Sequence, residues 1–378
     1  MNLNINKIRK TGTGLLFLSL MTAMFCLVYS CEKDPDYGIP QITNIRVTNP
    51  DLADVSLTEG NMGQMIVIQG INLGSVLEIY FNNVEAFFIP TLVTDNNIIV
   101  NIPNDFPTEI SNQIRVVTMG GEAIYDFTIN IPVPLVRDFP LEWVNEGGIL
   151  TIRGQYFYNI ESVAFTGGAE GIVVNVTPNE MHVLVPPGAE SGPVTVNALA
   201  GSGVSKAWFR DNRNMFIDFG EYWLCWGGND YVVDAGNIPA NVPVEPINGN
   251  FYYIKKDYAG GTWWIQETVL AYCQDLWVSG DPAKLALAFE MWVGETWDKN
   301  WFEIIVEPGW TMYDWKGYEI YGGDDKKLSR TGWMTVKVPL ADMGLTGNSF
   351  QYQWMSFKAA EECTIEFAFD NIRIVPID

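Results

Sequence analysis

The sequence predicts an almost entirely β protein made of three sandwich domains, and three observations carry that prediction. Beyond residue 30 there is no long run with helical period. Short apolar or alternating runs are punctuated instead by Gly, Pro, Asn and Asp, and the 378 residues include 35 glycines and 20 prolines. A motif recurs at an offset of 84 residues. Twelve of the 14 tryptophans fall within residues 213–378, less than half of the chain, so the aromatic excess marks a separate domain.

Residues 1–30 come first and read as a leader. Lys7, Arg9 and Lys10 precede an apolar run from Leu15 to Val28, short for a membrane span but suited to a signal-peptide core. The run ends Val28-Tyr29-Ser30-Cys31, and a small residue before Cys resembles the bacterial lipobox, which implies that Cys31 is diacylated and becomes the mature N-terminus. Cys26 follows bulky Phe25 and fits that pattern poorly. The acidic stretch of Glu32, Asp34 and Asp36 around Lys33 resembles the signal that sends Bacteroidetes lipoproteins to the cell surface. An ordinary cleaved secretory signal is the plainer reading of the same residues. Cleavage removes three positive and no negative charges from a chain of net charge −23, so acyl chains, not basic attraction, must hold the mature protein at a membrane. Residues 31–39 then form a charged, proline-containing tether.

An internal repeat organises residues 40–212, read as one domain at 40–132 and another at 133–212. Ile66-Val67-Ile68-Gln69-Gly70-Ile71-Asn72-Leu73 aligns with Leu150-Thr151-Ile152-Arg153-Gly154-Gln155-Tyr156-Phe157. Leu77 to Phe81 then lies opposite Glu161 to Phe165, and Ile98 to Pro103 opposite Met181 to Pro186. A strand ending in Gly-x-x-(Leu/Phe), a second ending in Phe and a third ending in Val/Ile-Pro resemble IPT/TIG immunoglobulin-like domains. That resemblance implies two small β-sandwiches acting as spacers. The Cys…Trp…Cys core of antibody domains is missing, so only the architecture carries over.

Residues 213–378 are the third domain. Strands are expected at Gly249–Lys256, Trp263–Leu270, Lys284–Val293, Trp301–Glu307, Trp333–Pro339, Phe350–Lys358 and Thr364–Val375, an antiparallel set without helices that suggests a larger sandwich or jelly roll. Alternation assigns faces. Leu285, Leu287, Phe289, Met291 and Val293 turn inward, leaving Glu290 and Trp292 on the other face. Phe302, Ile304 and Val306 turn inward, leaving Trp301, Glu303 and Glu307 away from the core. Trp264, Gln266 and Thr268 share the polar side of their strand, with Trp263 opposite them.

A Trp beside a hydrogen-bonding side chain, repeated on three strands, fits a sugar. The apolar C–H face of a pyranose stacks on an indole, while its hydroxyls need amide or carboxylate partners. For a single Trp the bland reading, core or incidental surface, is the commoner one; so many exposed rings together are a liability without a ligand. Two loop clusters add to the count: Tyr222, Trp223 and Trp226 before Gly227-Gly228-Asn229-Asp230, and the run from Trp292 through Trp297 and Trp301 to Trp310 and Trp315.

The blocks Gly249 to Ile254, Thr262-Trp263-Trp264, Ala288-Phe289-Glu290, Tyr313-Asp314-Trp315, Thr331 to Leu340 and Phe369-Asp370-Asn371-Ile372-Arg373-Ile374 resemble the glycan-binding domain of Bacteroidetes surface glycan-binding proteins. The order of lipid anchor, IPT/TIG spacers and terminal carbohydrate-binding domain resembles those proteins too. The resemblance implies non-catalytic capture of a polysaccharide, a β-glucan or xyloglucan-like hemicellulose. It also implies a place at the outer membrane beside a TonB-dependent transporter and an associated glycan-binding lipoprotein. It assigns the ligand platform to Trp226, Trp263, Trp264 and Trp315, with either Trp223 or Trp226 as the ring contributed by the first loop.

Composition limits the alternatives. With 22 basic against 45 acidic residues the surface repels phosphate backbones, which excludes nucleic acid. A single histidine, His182, excludes His-rich metal sites. Cys225, Cys273 and Cys363, without CxxC spacing, point to buried free thiols with at most one disulfide. Asp370 with Asp218 is the candidate pair for a structural calcium, though no Asp-x-Asp loop supports it; otherwise no cofactor is expected. Glu290, Asp298, Glu303 and Glu307 are the carboxylates a surface glycoside hydrolase would need. An adhesive surface protein is the other alternative.

Overall fold

The computed structural model describes residues 37–52, 54–220, 224–259, 268–298, 300–329 and 331–377. Cys31, Trp223, Trp263, Trp264 and Gln266 lie outside them. The chain divides into two compact units, Met1–Asn130 and Ile131–Asp378. Among the described residues no helix is long and apolar enough to cross a membrane.

The first unit is an immunoglobulin-like sandwich. One sheet runs in the order Gln41–Val47, Met65–Ile71, Asn97–Asn101, Phe88–Val93; the other runs Val84–Glu85, Val76–Phe81, Gln113–Thr118, Gly121–Asp126. Ile45, Ile66, Ile68, Ile79, Ile98, Ile114 and Val116 fill the space between them. In the second unit, residues 135–209 carry the corresponding strands, but Glu170–Val176 pairs with both Ile160–Thr166 and Glu180–Leu184, so the two sheets join into one of seven strands. The repeated Gly has one physical cause in both copies. A Cβ at Gly70 would stand 2.0 Å from the Gln41 carbonyl oxygen, and one at Gly154 would stand 2.1 Å from that of Leu135, because the neighbouring strand crosses closely there. Two residues later Asn72 (φ 58°) and Tyr156 (φ 62°) both turn left-handed, which buries Leu73 and Phe157 in the same way.

The C-terminal domain pairs two antiparallel sheets. Its strands are β1 (Met215–Ile217), β2 (Val232–Val233), β3 (Phe251–Tyr258), β4 (Leu270–Ala271), β5 (Val278–Ser279), β6 (Leu285–Val293), β7 (Trp301–Glu307), β8 (Thr311–Trp315), β9 (Met334–Pro339), β10 (Ser349–Lys358) and β11 (Cys363–Pro376). The first sheet has the order β2-β3-β11-β6-β9, with β1 also on β11; the second has the order β4-β10-β7-β8, with β5 also on β10. The inward residues of β6 and β7 meet Tyr352, Met355 and Phe357 of β10 and Phe367 and Phe369 of β11 in one core. The sequence suggested no helix, yet α1 (Gly317–Tyr321) follows β8. Its Tyr318 lies edge-on to Trp297, with ring centroids 5.1 Å apart, so a core contact fixes this single turn.

Candidate functional site

A sandwich has two outer faces, and in this domain one of them is taken. Residue 290, on the outward side of β6, is a fully buried glutamate that receives two hydrogen bonds from Arg373, at 2.8 and 2.9 Å. The second immunoglobulin-like domain closes over it. Thr335 Oγ1 donates to Glu290 Oε1 at 2.9 Å and accepts from the Glu142 backbone N–H at 2.8 Å, and the Thr335 N–H donates to the Pro140 carbonyl at 2.9 Å. Further along the same face Val233, Val244, Phe251, Tyr253 and Ala368 form a second apolar cluster, and Trp292 and Trp333 pack against it. Trp292, expected to offer a ligand platform, is half-buried and packs against this cluster, on the opposite sheet from Trp226 and Trp310.

The outer face of the second sheet is different. Along β10 the side chains of Tyr352, Met355 and Phe357 enter the core, while Trp354 points away from it. Trp226 approaches Trp354 with ring centroids 5.6 Å apart and planes at 55°; Trp310 meets it edge-on at 5.3 Å and 79°. Trp226 and Trp310 stay 53% and 48% exposed, whereas Trp354 between them is half-buried with its indole nitrogen withdrawn from solvent, so in this trio two open rings flank a part-covered one. Met312, opposite Ile305 on the neighbouring strand, extends the apolar surface. Polar groups flank it. Gln353 Nε2 donates to Gln351 Oε1 at 2.5 Å, and the Glu307 carboxylate accepts from the Trp310 N–H at 3.2 Å. Towards the other end of β10 lie the ion pair of Lys358 with Glu303 and the Trp301 indole N–H donating to Asp314 at 2.9 Å.

The loop that carries Trp226 is stapled. Cys225 and Cys273 form a disulfide, and the Cys225 N–H donates to the Ala271 carbonyl at 3.3 Å. This corrects the expectation of buried free thiols: the cysteines are 48 residues apart in sequence, but β4 brings them together at the edge of the second sheet. Cys363 stays free, and burial, with Asp257 nearby, pushes its thiol up to about 11. Exposed rings at several angles with amides and carboxylates at their rim can stack on sugar C–H faces and exchange hydrogen bonds with hydroxyls.

Residues 209–376 match the family model of the surface glycan-binding protein B xyloglucan binding domain, and residues 50–129 and 140–212 each match the IPT/TIG domain. The C-terminal domain belongs to that glycan-binding family. A solved structure of the surface glycan-binding protein PbSGBP-B from Prevotella bryantii has the same fold. The likeness covers 90% of this chain and 99% of that one, at 21% identity and a TM-score of 0.66. An IPT/TIG domain-containing protein of Bacteroides ovatus is 37% identical over 127 residues, which are 32% of this chain and 26% of the relative. The matched stretch thus spans about a quarter of that protein.

Within the xyloglucan-binding-type domain the sequence-derived residues fare unevenly. Trp226 stands on the open face. Trp315 does not: it is 1% exposed and packs against Phe289 (5.2 Å) and Trp297 (5.4 Å). The register explains the correction, because Trp315 pairs with Phe302, and paired residues on neighbouring strands share a face, here the inner one. Trp297, from the same loop cluster, is core as well. Trp301 is half-buried with its indole N–H engaged. Glu303 is on the expected face but is buried against Lys358 rather than held out to a ligand.

The alternative chemistries find little in this geometry. Glu290 is locked to Arg373, Asp298 lies 3.6 Å from Lys327, Glu303 is paired with Lys358 and Glu307 caps the Trp310 turn. Asp370 is fully buried, and desolvation, reinforced by Glu290 and Asp218, pushes its carboxyl well above the usual range. Among the described residues no group of three or more His, Cys, Asp or Glu side chains is placed to hold a metal.

Sequence reasoning missed Trp354, passed over Trp310 within a longer run and left Trp277 unassigned. A signal against Trp354 was built into the pattern. Tyr352 and Trp354 are two apart and by simple alternation share a face, but the register shifts between Ile305 and Val306, so that Trp354 pairs with Ile305 while Tyr352 pairs with Val306. This bulge turns one ring inward and the other outward.

Proposed function

We propose that this protein captures a polysaccharide, a β-glucan or xyloglucan-like hemicellulose, on the outer face of the second sheet and does not cleave it. The observation that carries the reading is the pair of exposed rings, Trp226 and Trp310, packed on either side of half-buried Trp354 on the one outer face of the sandwich that the neighbouring domain leaves uncovered. Membership of the xyloglucan-binding domain family supports the choice of ligand class. The lipobox-like Val28 to Cys31 and the acidic residues after it support a lipid anchor at the outer membrane, facing outward. In that setting the protein holds the chain for hand-over to a TonB-dependent transporter and its associated glycan-binding lipoprotein.

The test is an affinity gel cast with xyloglucan, mixed-linkage β-glucan or an unrelated α-glucan, run beside an assay for released reducing ends. Retardation in a β-glucan gel with no new reducing ends is the expected result. Reducing ends released in proportion to the protein, or no retardation by any β-glucan, would refute the reading.

A further inference from the structure

We propose that the glycan site continues along β10 to a separate subsite at Trp277, so that the ligand is an extended chain laid lengthwise rather than a chain end or a single ring. The proposal rests on the glycan reading above and adds the direction and extent of the site. Trp277 immediately precedes β5, whose Val278 pairs with Phe350 and enters the core. Alternation therefore sends Trp277 to the outer face, beside Gln351, which also lies between two core residues, Phe350 and Tyr352. The ring is 44% exposed. It is not loose: its indole N–H donates to Asp275 at 2.8 Å, and Gln351 Nε2 donates to the Gln274 carbonyl at 2.9 Å, fixing the segment that carries it.

The separation decides what can bind. Across the bulge Trp354 and Gln351 pair with Ile305 and Glu307, two ladder steps apart, an advance of roughly 7 Å at the usual rise per residue, more than one pyranose ring spans. Among the described residues Trp277 makes no ring contact with the trio, and the hydrogen-bonded Gln351–Gln353 amides lie between them. Two aromatic platforms with an amide pair between them suit a chain whose successive rings stack at the ends and whose hydroxyls are met in the middle. The disulfide joins both ends to one frame, since Cys225 adjoins Trp226 and Cys273 begins the segment that leads to Trp277.

The experiment titrates the full chain, and its Trp277→Ala, Trp277→Phe and Trp226→Ala variants, with xylogluco-oligosaccharides and unbranched gluco-oligosaccharides of increasing length. The expected result is that Trp277→Ala matches the unmodified protein on short oligosaccharides. On longer ones it lacks the gain in affinity, of about ten-fold by analogy with truncating an interface aromatic, while Trp277→Phe keeps most of that gain. An unchanged length dependence in Trp277→Ala, or an equal loss at every length, would overturn the proposal. Undiminished binding by Trp226→Ala, or no binding by the unmodified protein, would instead overturn the glycan reading on which it rests.

Discussion

The guanidinium of Arg373 in the C-terminal domain donates to Glu142 of the second immunoglobulin-like domain at 2.7 Å, and both side chains are fully withdrawn from solvent. Lys337 approaches the other oxygen of Glu142 at 2.6 Å, and Asn145 donates to the Pro246 carbonyl at 2.8 Å in the same junction. A domain whose resemblance to IPT/TIG modules implied a spacer thus supplies one of the two carboxylates that hold a buried arginine of its neighbour. Removing Glu142 leaves Arg373 paired with Glu290 but strips one charged hydrogen bond from its guanidinium and the carboxylate from Lys337.

The first prediction follows from that contact. Glu142→Ala should lower the stability of the second unit by about 1–3 kcal/mol, the cost of a lost hydrogen bond to a charged group while Glu290 still neutralises Arg373, and a fragment of residues 213–378 should melt below the same domain in the full chain. Calorimetry on the two proteins checks this. Equal melting temperatures would show that the junction contributes nothing.

Trp315 gives a second prediction, opposite to what the sequence suggested. As a core residue it should cost about 3–5 kcal/mol when changed to alanine, so Trp315→Ala should fail in a denaturant melt. At temperatures where the variant remains folded it should retain glycan affinity.

The disulfide gives a third. Replacing Cys225 and Cys273 by serine should cost roughly 2–4 kcal/mol by releasing a long loop in the unfolded chain. It should also weaken glycan binding, because Trp226 loses its staple to β4. Titration of the variant, and of the unmodified protein after reduction, should show the same loss.

Asp370 supplies a pH dependence. Its carboxyl is raised in the folded protein, mainly by desolvation and then by Glu290, so the folded state holds its proton more tightly than the unfolded chain. Its contribution to stability is complete below the ordinary value of 3.8 and is lost as pH rises towards the raised one. Oδ1 accepts from the Asn371 N–H at 2.8 Å, a bond that an amide oxygen can keep, whereas Oδ2 has no partner. Asp370→Asn should therefore flatten the decline of melting temperature above pH 4. Parallel pH profiles for the two proteins would contradict this.

Much of the fold was legible. Strands expected at Lys284–Val293, Trp301–Glu307 and Phe350–Lys358 form at Leu285–Val293, Trp301–Glu307 and Ser349–Lys358, because alternation over a buried face is a strong local signal. The Gly70 and Gly154 motif marked the repeat because a crossing carbonyl demands it in both copies. The site was legible only in kind. An excess of tryptophan announced a ring-rich surface, but which rings are exposed depends on pairing across strands, on a bulge beside Trp354 and on the connection before β3 that packs with Trp292. None of these is encoded within a single strand. Trp226, assigned by resemblance with Trp223 as the alternative, stands exposed in its loop, whereas Trp315 sits in a strand whose partner decides its face.

The central claim is that the open face of the second sheet binds the glycan, and the most direct test is a xyloglucan titration of the double variant Trp226→Ala, Trp310→Ala. Both rings are about half exposed, so their loss should leave the melting temperature within a few degrees of the unmodified protein. Truncating stacked aromatics removes about 1–3 kcal/mol each. The account therefore predicts that heat of binding disappears while the fold remains intact. Unmodified affinity in a folded double variant would contradict it and place the site elsewhere on the molecule.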